Sequence, residues 1–396
     1  MSNANTSGPG AGGTGVTAAK GFRASGTAAG IKASGAADLA LVVNDGPSFA
    51  AAAVFTSNRV KAAPVRWTQE VIKGGALHAV VLNSGGANAC TGPLGFQDTH
   101  ATAERLAEIL DTSAAEIAVC STGLIGLRLP MESLLKGLTP AVGALSAQGG
   151  ADAAEAIRTT DTVAKTAVVT RDGYTVGGMI KGAGMLAPGL ATMLCVLTTD
   201  ADVPAGALDA ALRTATAHTL DRIDSDGCMS TNDTVILMAS GASGLAPEPV
   251  GFTEAVVEVC AALSRQLIAD AEGATKEIEI EVVNAADEAD GLEVARSIAR
   301  NNLFKCAMYG EDANWGRVLS AVGTTQAAYE PDDLAVAING IWVCRDGAAG
   351  EDRSLCDLSK RQIKVTVDLK AGPASVTVWT NDLSKDYVHE NSAYSS

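Results

Sequence analysis

The chain has 396 residues and 47% of them are apolar, ample material for a buried core. Its 29 Lys and Arg against 45 Asp and Glu give a formal net charge of −16, with only four histidines. That balance argues against nucleic acid, which is held through clustered Lys and Arg, and against an anionic membrane surface; no apolar run reaches the roughly 18 residues that span a bilayer.

Residues 1–15, MSNANTSGPGAGGTG, lack the basic and apolar regions of a secretory signal and read as a disordered tail on a soluble, cytoplasmic protein. Apolar runs bounded by Gly, Asn and Pro then predict strands at DLALVVNDG (38–46), AAAVFTSN (51–58), HAVVLNSGG (78–86) and EIAVCSTG (116–123). Between the last two, Ala103, Leu106, Ile109 and Leu110 share one helical face, so a helix is expected over 98–110 with Asp98 as its cap. A second helix is expected over 131–138. The run TAVVTRDGYTVGGM (166–179) predicts a strand pair turning at Asp172-Gly173, and ATMLCVLTTD (191–200) a further strand.

Three- and four-residue apolar spacing predicts helices over 207–223 and 253–271, with a strand, TVILMASG (234–241), between them. Past Lys276 the texture changes. EIEIEVVNA (277–285) and QIKVTVDL (362–369) alternate strictly, ASVTVWTND (374–382) follows, and ADGLEVARSIARNN (289–302) reads as a helix. The pattern is α+β: a tail over 1–15, a core over 16–276 and a C-terminal subdomain over 277–396.

The eight cysteines form no C-x-x-C pair and have no histidine at zinc-ligand spacing, which predicts reduced, structural thiols and no metal site. Asp224, Asp226 and Asp233 in DSDGCMSTND lack the Gly and Glu of a calcium loop and are expected in a buried polar network or a pocket wall. The loop KGAGMLAPGLAT (181–192) has a glycine pattern that fails as a dinucleotide fingerprint at its third glycine; on its own it reads as a tight connection between core strands. There is no G-x-S-x-G, no H-E-x-x-H and too little histidine for a Ser-His-Asp triad. Acyl transfer would therefore need another base, and one solution is a Thr activated by its own α-amino group. That requires a cut between Ala191 and Thr192, where the small Ala191 leaves room for attack on its carbonyl.

Several motifs act jointly: NSGGANACTG (83–92), CSTGLIG (120–126), TTDT (159–162), KGAGMLAP followed by ATML (181–194), STNDT (230–234), DAEGATK (270–276), NWGRVL (314–319) and ENSAYSS (390–396). Together they resemble the ArgJ-type ornithine acetyltransferases, also called glutamate N-acetyltransferases, of the cyclic arginine pathway. The resemblance implies self-cleavage into chains 1–191 and 192–396, with Thr192 as nucleophile. It takes the acetyl group of N2-acetylornithine, releases ornithine, and passes the acetyl to glutamate in a ping-pong cycle that yields N-acetylglutamate. Some members also accept acetyl-CoA, which no motif here decides; no cofactor is implied. Carried over by position, Thr122 and Gly123 form the oxyanion hole. Thr159 or Thr160, Lys181, Glu272, Asn391 and Ser396 contact substrate.

Lys181 suits a substrate carboxylate and Glu272 the ornithine ammonium, and a role for Asn391 and Ser396 requires a docked C-terminus. Asn314, Trp315 and Arg317 are expected to pack and hydrogen-bond, and His100 and His218 to be structural. The implied architecture is a self-processing four-layer α/β/β/α sandwich with a smaller C-terminal α/β subdomain, assembled as an α2β2 heterotetramer. Competing readings are a self-cleaving amidase or aminopeptidase that delivers the acyl group to water, a non-catalytic ligand-binding relative, and a nucleotide-dependent enzyme built on the glycine loop.

Overall fold

A computed structural model describes residues 13–187 and 193–393; the readings placed on residues 1–12, Ala191, Thr192 and Ser396 lie outside the described residues. The chain divides into two units. Unit 1 holds residues up to 181 with 193–216 and 231–263, and unit 2 holds 182–192, 217–230 and 264–396. Unit 2 thus contains the residues from 277 onward and also three earlier stretches.

In unit 1 the elements run β1 (Phe22–Thr27), β2 (Leu39–Asn44), β3 (Ala51–Phe55), α1 (Ala63–Val71), β4 (Ala79–Ser84), α2 (Gly92–Leu110), β5 (Ile117–Thr122), α3 (Met131–Gly143), α4 (Gly150–Ala156), β6 (Lys165–Arg171), β7 (Tyr174–Lys181), β8 (Leu194–Thr199), α5 (Ala205–His218), β9 (Thr234–Ala239) and α6 (Pro249–Ala269). They make a four-stranded sheet in the order β1-β2-β4-β5 and a five-stranded sheet in the order β3-β9-β8-β7-β6. Strand periodicity decides what faces what. In β2, Leu39, Leu41 and Val43 pack with Leu106 of α2 and Leu138 of α3, while Ala40 and Val42 pack against Met179, Val196 and Ile236 of the other sheet. Each such fully buried Leu or Val contributes about 1.5–3 kcal/mol relative to exposure.

The outer face of the five-stranded sheet carries α6. A Cβ on Gly178 of β7 would meet Leu263 at 3.2 Å, and Tyr174 and Phe252 rings lie 6.1 Å apart. The fold is therefore α+β, with helix, sheet, sheet and helix layered in unit 1. The edge strand β5 is covered by α1, whose Trp67 Nε1 and Thr68 Oγ1 donate to the carbonyls of Ile117 and Val119 at 3.0 and 2.8 Å.

Unit 2 continues with β10 (Glu277–Ala285), α7 (Glu288–Ala299), α8 (Asn302–Tyr309), α9 (Trp315–Val322), β11 (Ala335–Ile338), β12 (Ile341–Arg345), β13 (Ala348–Ala349), β14 (Gln362–Asp368), β15 (Ala374–Asn381) and α10 (Lys385–Ala393). Six strands in the order β13-β12-β11-β14-β10-β15 back onto α7, α8 and α9 through Ile278, Ile280, Val294, Phe304 and Val318.

Two local readings are corrected. The helix expected over 98–110, α2, begins at Gly92, six residues before the expected cap; Asp98 is 5% exposed and forms a two-pronged ion pair with Arg128 (2.9 and 2.5 Å). A carboxylate paired with a cation thirty residues away leaves no local trace. At the N-terminus, Gly15–Thr17 form a buried single turn rather than the end of a disordered tail. The Asp172-Gly173 turn is as expected, both residues having positive φ (51° and 90°).

Candidate active site

Unit 1 assembles one group of the expected residues. Thr122 closes β5, and its Oγ1 accepts a hydrogen bond from Lys181 Nζ at 3.3 Å, with Thr122 4% and Lys181 2% exposed. A hydroxyl that accepts from a buried ammonium keeps its own proton to donate elsewhere. Next to it, Gly123 has φ +131°, and a Cβ there would lie 2.5 Å from Gly86 N; only glycine fits. The Gly123 N–H makes no hydrogen bond among the described residues. Two donors at the end of one strand, one backbone and one hydroxyl, are the composition of an oxyanion hole.

Asp233, expected in a buried polar network, and Gly85, Gly86, Asn83 and Asn232, to which the sequence assigned no role, hold this geometry. Gly85 and Gly86 donate to the Thr122 carbonyl, both at 2.9 Å, so the turn after β4 lies against the end of β5. Asn232 Nδ2 ties the two together by donating to Ala87 O (2.6 Å) and Ser121 O (2.7 Å), while Asn83 accepts from Ser121 Oγ (2.6 Å). Asp233 Oδ1 accepts the N–H of Met193 at 3.0 Å, anchoring the start of β8, the residue that follows Thr192 in the chain. The motifs NSGGANACTG and STNDT were visible; that they converge on Thr122 required the fold.

Lys32 adds a second cation that the sequence reading missed. Its Cγ would lie 3.3 Å from a Cβ on Gly85. Burial lowers its pKa, Asp38 opposes that, and Arg158 and Lys181 lower it further. Two neighbouring ammonium groups favour a carboxylate ligand. Thr159 and Thr160 are half-buried on the loop after α4. The Thr159 N–H donates to Asp161 Oδ2 (3.0 Å), and Asp161 in turn pairs with the fully buried Lys165 (2.6 Å).

Unit 2 assembles the other group. Glu272 donates its N–H to Ala183 O (3.0 Å), and its carboxylate crowds Gly184, where a Cβ would lie 2.6 Å from Oε2. Asn391 of α10 donates to Glu272 Oε2 at 3.0 Å. The helix is seated at its base: Ser384 Oγ donates to Gly273 O, and a Cβ on Gly273 would lie 2.1 Å from Tyr387 N. The C-terminal helix is tied to the rest of unit 2 as far as Asn391.

Glu272, Asp226, Lys305, Asp382 and Tyr387 line one pocket. Burial pushes the Asp226 carboxyl up, and burial with the charges of Asp226 and Glu272 pushes the Tyr387 phenol up to about 12. Lys305 is brought down to about 8, chiefly by burial, and donates to the carbonyls of Ser225 and Asn381 and to Thr380 Oγ1. Asp224, fully buried beside Arg300 at 2.7 Å, is raised to about 6 by burial. Asp224 and Asp226 thus form the polar network and pocket wall expected of them. No cluster of metal-ligating side chains occurs among the described residues.

The sequence profile of the ArgJ family matches residues 23–396. The chain belongs to the ArgJ family. It is 68% identical over 381 residues to the arginine biosynthesis bifunctional protein ArgJ of Streptomyces avermitilis, covering 96% of this chain and all of that one, and equally similar to the protein of that name from Streptomyces coelicolor. Among solved structures it resembles the ornithine acetyltransferase of Mycobacterium tuberculosis complexed with ornithine, at 61% identity over 46% of this chain and 96% of that one, with a TM-score of 0.44.

The remaining candidates are structural. Asn314 Nδ2 donates to Asp312 (3.0 Å), Arg317 to Leu303 O (2.6 Å), and Trp315 packs on the unit 2 core. His100 is exposed on α2 beside Trp67, with ring centroids 5.0 Å apart, and His218 ends α5. All eight cysteines are free. Burial pushes the Cys120 thiol up to about 12, which makes it a poor nucleophile. No described helix is long and apolar enough to cross a membrane.

Proposed function

We propose that this chain transfers the acetyl group of N2-acetyl-L-ornithine to L-glutamate, as an acyltransferase of arginine biosynthesis, through an acetyl ester on Thr192. The observation that carries the reading is the Thr122 hydroxyl held by a buried Lys181 beside the Gly123 N–H, which has no partner among the described residues, in a chain 68% identical to a bifunctional ArgJ protein. Cleavage between Ala191 and Thr192 frees an α-amine with an ordinary pKa near 7.7–8.0, suited to take the Thr192 hydroxyl proton at neutral pH. The hydroxyl attacks the acetyl carbonyl, and the negative charge that develops meets Thr122 Oγ1 and the Gly123 N–H. Collapse expels ornithine, whose amine takes up the proton held by the α-amine; the amine of glutamate then attacks the ester carbonyl at the same donors, its proton passing to Thr192 as the C–O bond breaks and N-acetylglutamate leaves.

Lys181 and Lys32 supply positive charge for a substrate carboxylate; Thr159 or Thr160 and Ser396 complete the polar lining. Glu272, steadied by Asn391, supplies negative charge for the ornithine ammonium. The family's second donor, acetyl-CoA, enters the same cycle in this reading, and no cofactor or metal is required. We place the processed chains in a cytoplasmic α2β2 heterotetramer.

Intact-mass measurement under denaturing conditions tests the central step. Two species dividing the chain at 191/192 are expected, with Thr192→Ala leaving one species near 40 kDa and no transfer, and Thr192→Ser retaining part of both. Normal processing of the Ala variant would overturn the mechanism. Acetate release without N-acetylglutamate would assign the chain to the amidase reading.

A further inference from the structure

Unit 1 carries a second cavity, of about 500 Å³, lined by Arg59, Lys61, Arg66, Thr91, Gly92 and Phe96 among others. In a chain of net charge −16 its lining holds three cations and no carboxylate. None of the three forms an ion pair within the described residues, although most other arginines of the chain do. The Arg66 guanidinium lies over the Phe96 ring, 5.8 Å from its centroid, giving a flat cationic and aromatic surface. The first residues of α1 and α2, Ala63 and Gly92, also line it, although the Ala63 N–H is already bonded to Asn88 O at 3.1 Å and each helix has a proline in its first turn, so the side chains and not the helix ends give the cavity its character. Unpaired cations and an aromatic face together select a ligand bearing both phosphate and a planar ring.

The cavity connects covalently to the oxyanion donors. Gly86 donates to Thr122 O, Ala87 to Leu124 O, and Ala89 accepts from Gly126, so residues 86–89 run beside 122–126 before Cys90 enters the cavity wall. Four residues from Gly86 to Cys90 span at most about 14 Å. We infer that this cavity holds the phosphorylated nucleotide of a thioester acetyl donor, with Arg59 and Lys61 on phosphate and the base against Phe96 and Arg66. The inference rests on the reading above in one respect, that such a donor acetylates Thr192. There the acetyl C–S bond breaks as the C–O bond to Thr192 forms, and the hydroxyl proton leaves on the free thiol.

The test is calorimetric titration of the full processed protein with adenosine 3′,5′-bisphosphate, at two salt concentrations. Saturable binding that weakens with salt is expected. The double variant Arg59→Gln/Lys61→Gln should bind at least tenfold more weakly, while Arg59→Lys/Lys61→Arg, which keeps both charges, should bind within about threefold of the parent. In steady-state assays the KM for acetyl-CoA should rise at least tenfold relative to that for acetylornithine. No saturable binding, or equal binding by the Gln variant, overturns the assignment. Inorganic phosphate binding as tightly as the nucleotide without competing with acetyl-CoA would also overturn it, as a site for free phosphate. Loss of acetylornithine transfer in the parent protein would instead refute the proposed function, and the nucleotide titration reads independently of it.

Discussion

Replacing Thr122 by Val substitutes a methyl for the hydroxyl at nearly constant shape, so it isolates what the hydroxyl does. Thr122 is 4% exposed and closes a strand whose register with Ser84 is fixed by the ladder, so the backbone has no reason to move. The stability cost is the lost hydrogen bond from Lys181, about 1.5–3 kcal/mol for a bond to a charged group. The lower end applies, because 3.3 Å is long and Lys181 has a further interaction. The kinetic cost is larger: removal of one oxyanion donor lowers the rate by about 10²–10³, some 2.7–4 kcal/mol of transition-state stabilisation. The interaction is made as charge develops, so kcat and kcat/KM should fall together with little change in KM. Thr122→Ser should recover most of the loss. The assay is N-acetylglutamate formation from acetylornithine and glutamate, with intact mass confirming that the variant is cleaved. A cleaved Thr122→Val enzyme within threefold of the parent would remove the hydroxyl from the mechanism.

Gly123→Ala should lower transfer at least tenfold, since its Cβ would press to 2.5 Å on Gly86 N at a φ that side chains resist; parental activity would show that the turn yields freely. Asn232→Leu deprives the buried carbonyls of Ala87 and Ser121 of their donor, at about 1–3 kcal/mol each, and should lower the urea midpoint accordingly; a midpoint unchanged within error contradicts this. Asp224 titrates near 6 in the fold against 3.8 in the unfolded chain. Its ionisation is therefore harder in the folded state, and its cost is absent below about pH 4 and complete above about pH 6. A shift of about two pH units corresponds to about 3 kcal/mol. Stability relative to Asp224→Asn should fall by that order between pH 4 and 6.5, and a parallel pair of pH profiles would refute the assignment.

Much of the fold was legible because burial writes itself into local pattern. β2 and β4 read as continuous apolar runs because both of their faces are covered, and β10 and β14 read as alternation because one face of each is more exposed. β1, with its sequence FRASGT, left too few apolar residues to detect. The hairpin of β11 and β12 carried an Asn339-Gly340 turn, both residues with positive φ, that went unused. At the site, Thr122 and Gly123 were named through the family resemblance alone, because a Thr and a Gly at the end of a strand carry no distinctive local pattern. The supports of Asn232, Asp233 and Lys32 join residues tens to more than a hundred positions apart, a distance no local pattern spans.

The five-stranded sheet gives the proposed cleavage a mechanical consequence. β3, β6 and β7 precede residue 191 and β8 and β9 follow it, yet the order is β3-β9-β8-β7-β6. A cut after Ala191 severs one peptide bond and none of the ladder from Val176↔Thr199 to Lys181↔Leu194 or from Ala51↔Met238 to Phe55↔Thr234. The two products of such a cut would be interlaced, each supplying strands between or beside the other's, and would separate only if the sheet itself unfolded. Either product made alone would present naked strand edges, and co-expression of the halves, rather than mixing of purified ones, is the route by which they would recombine.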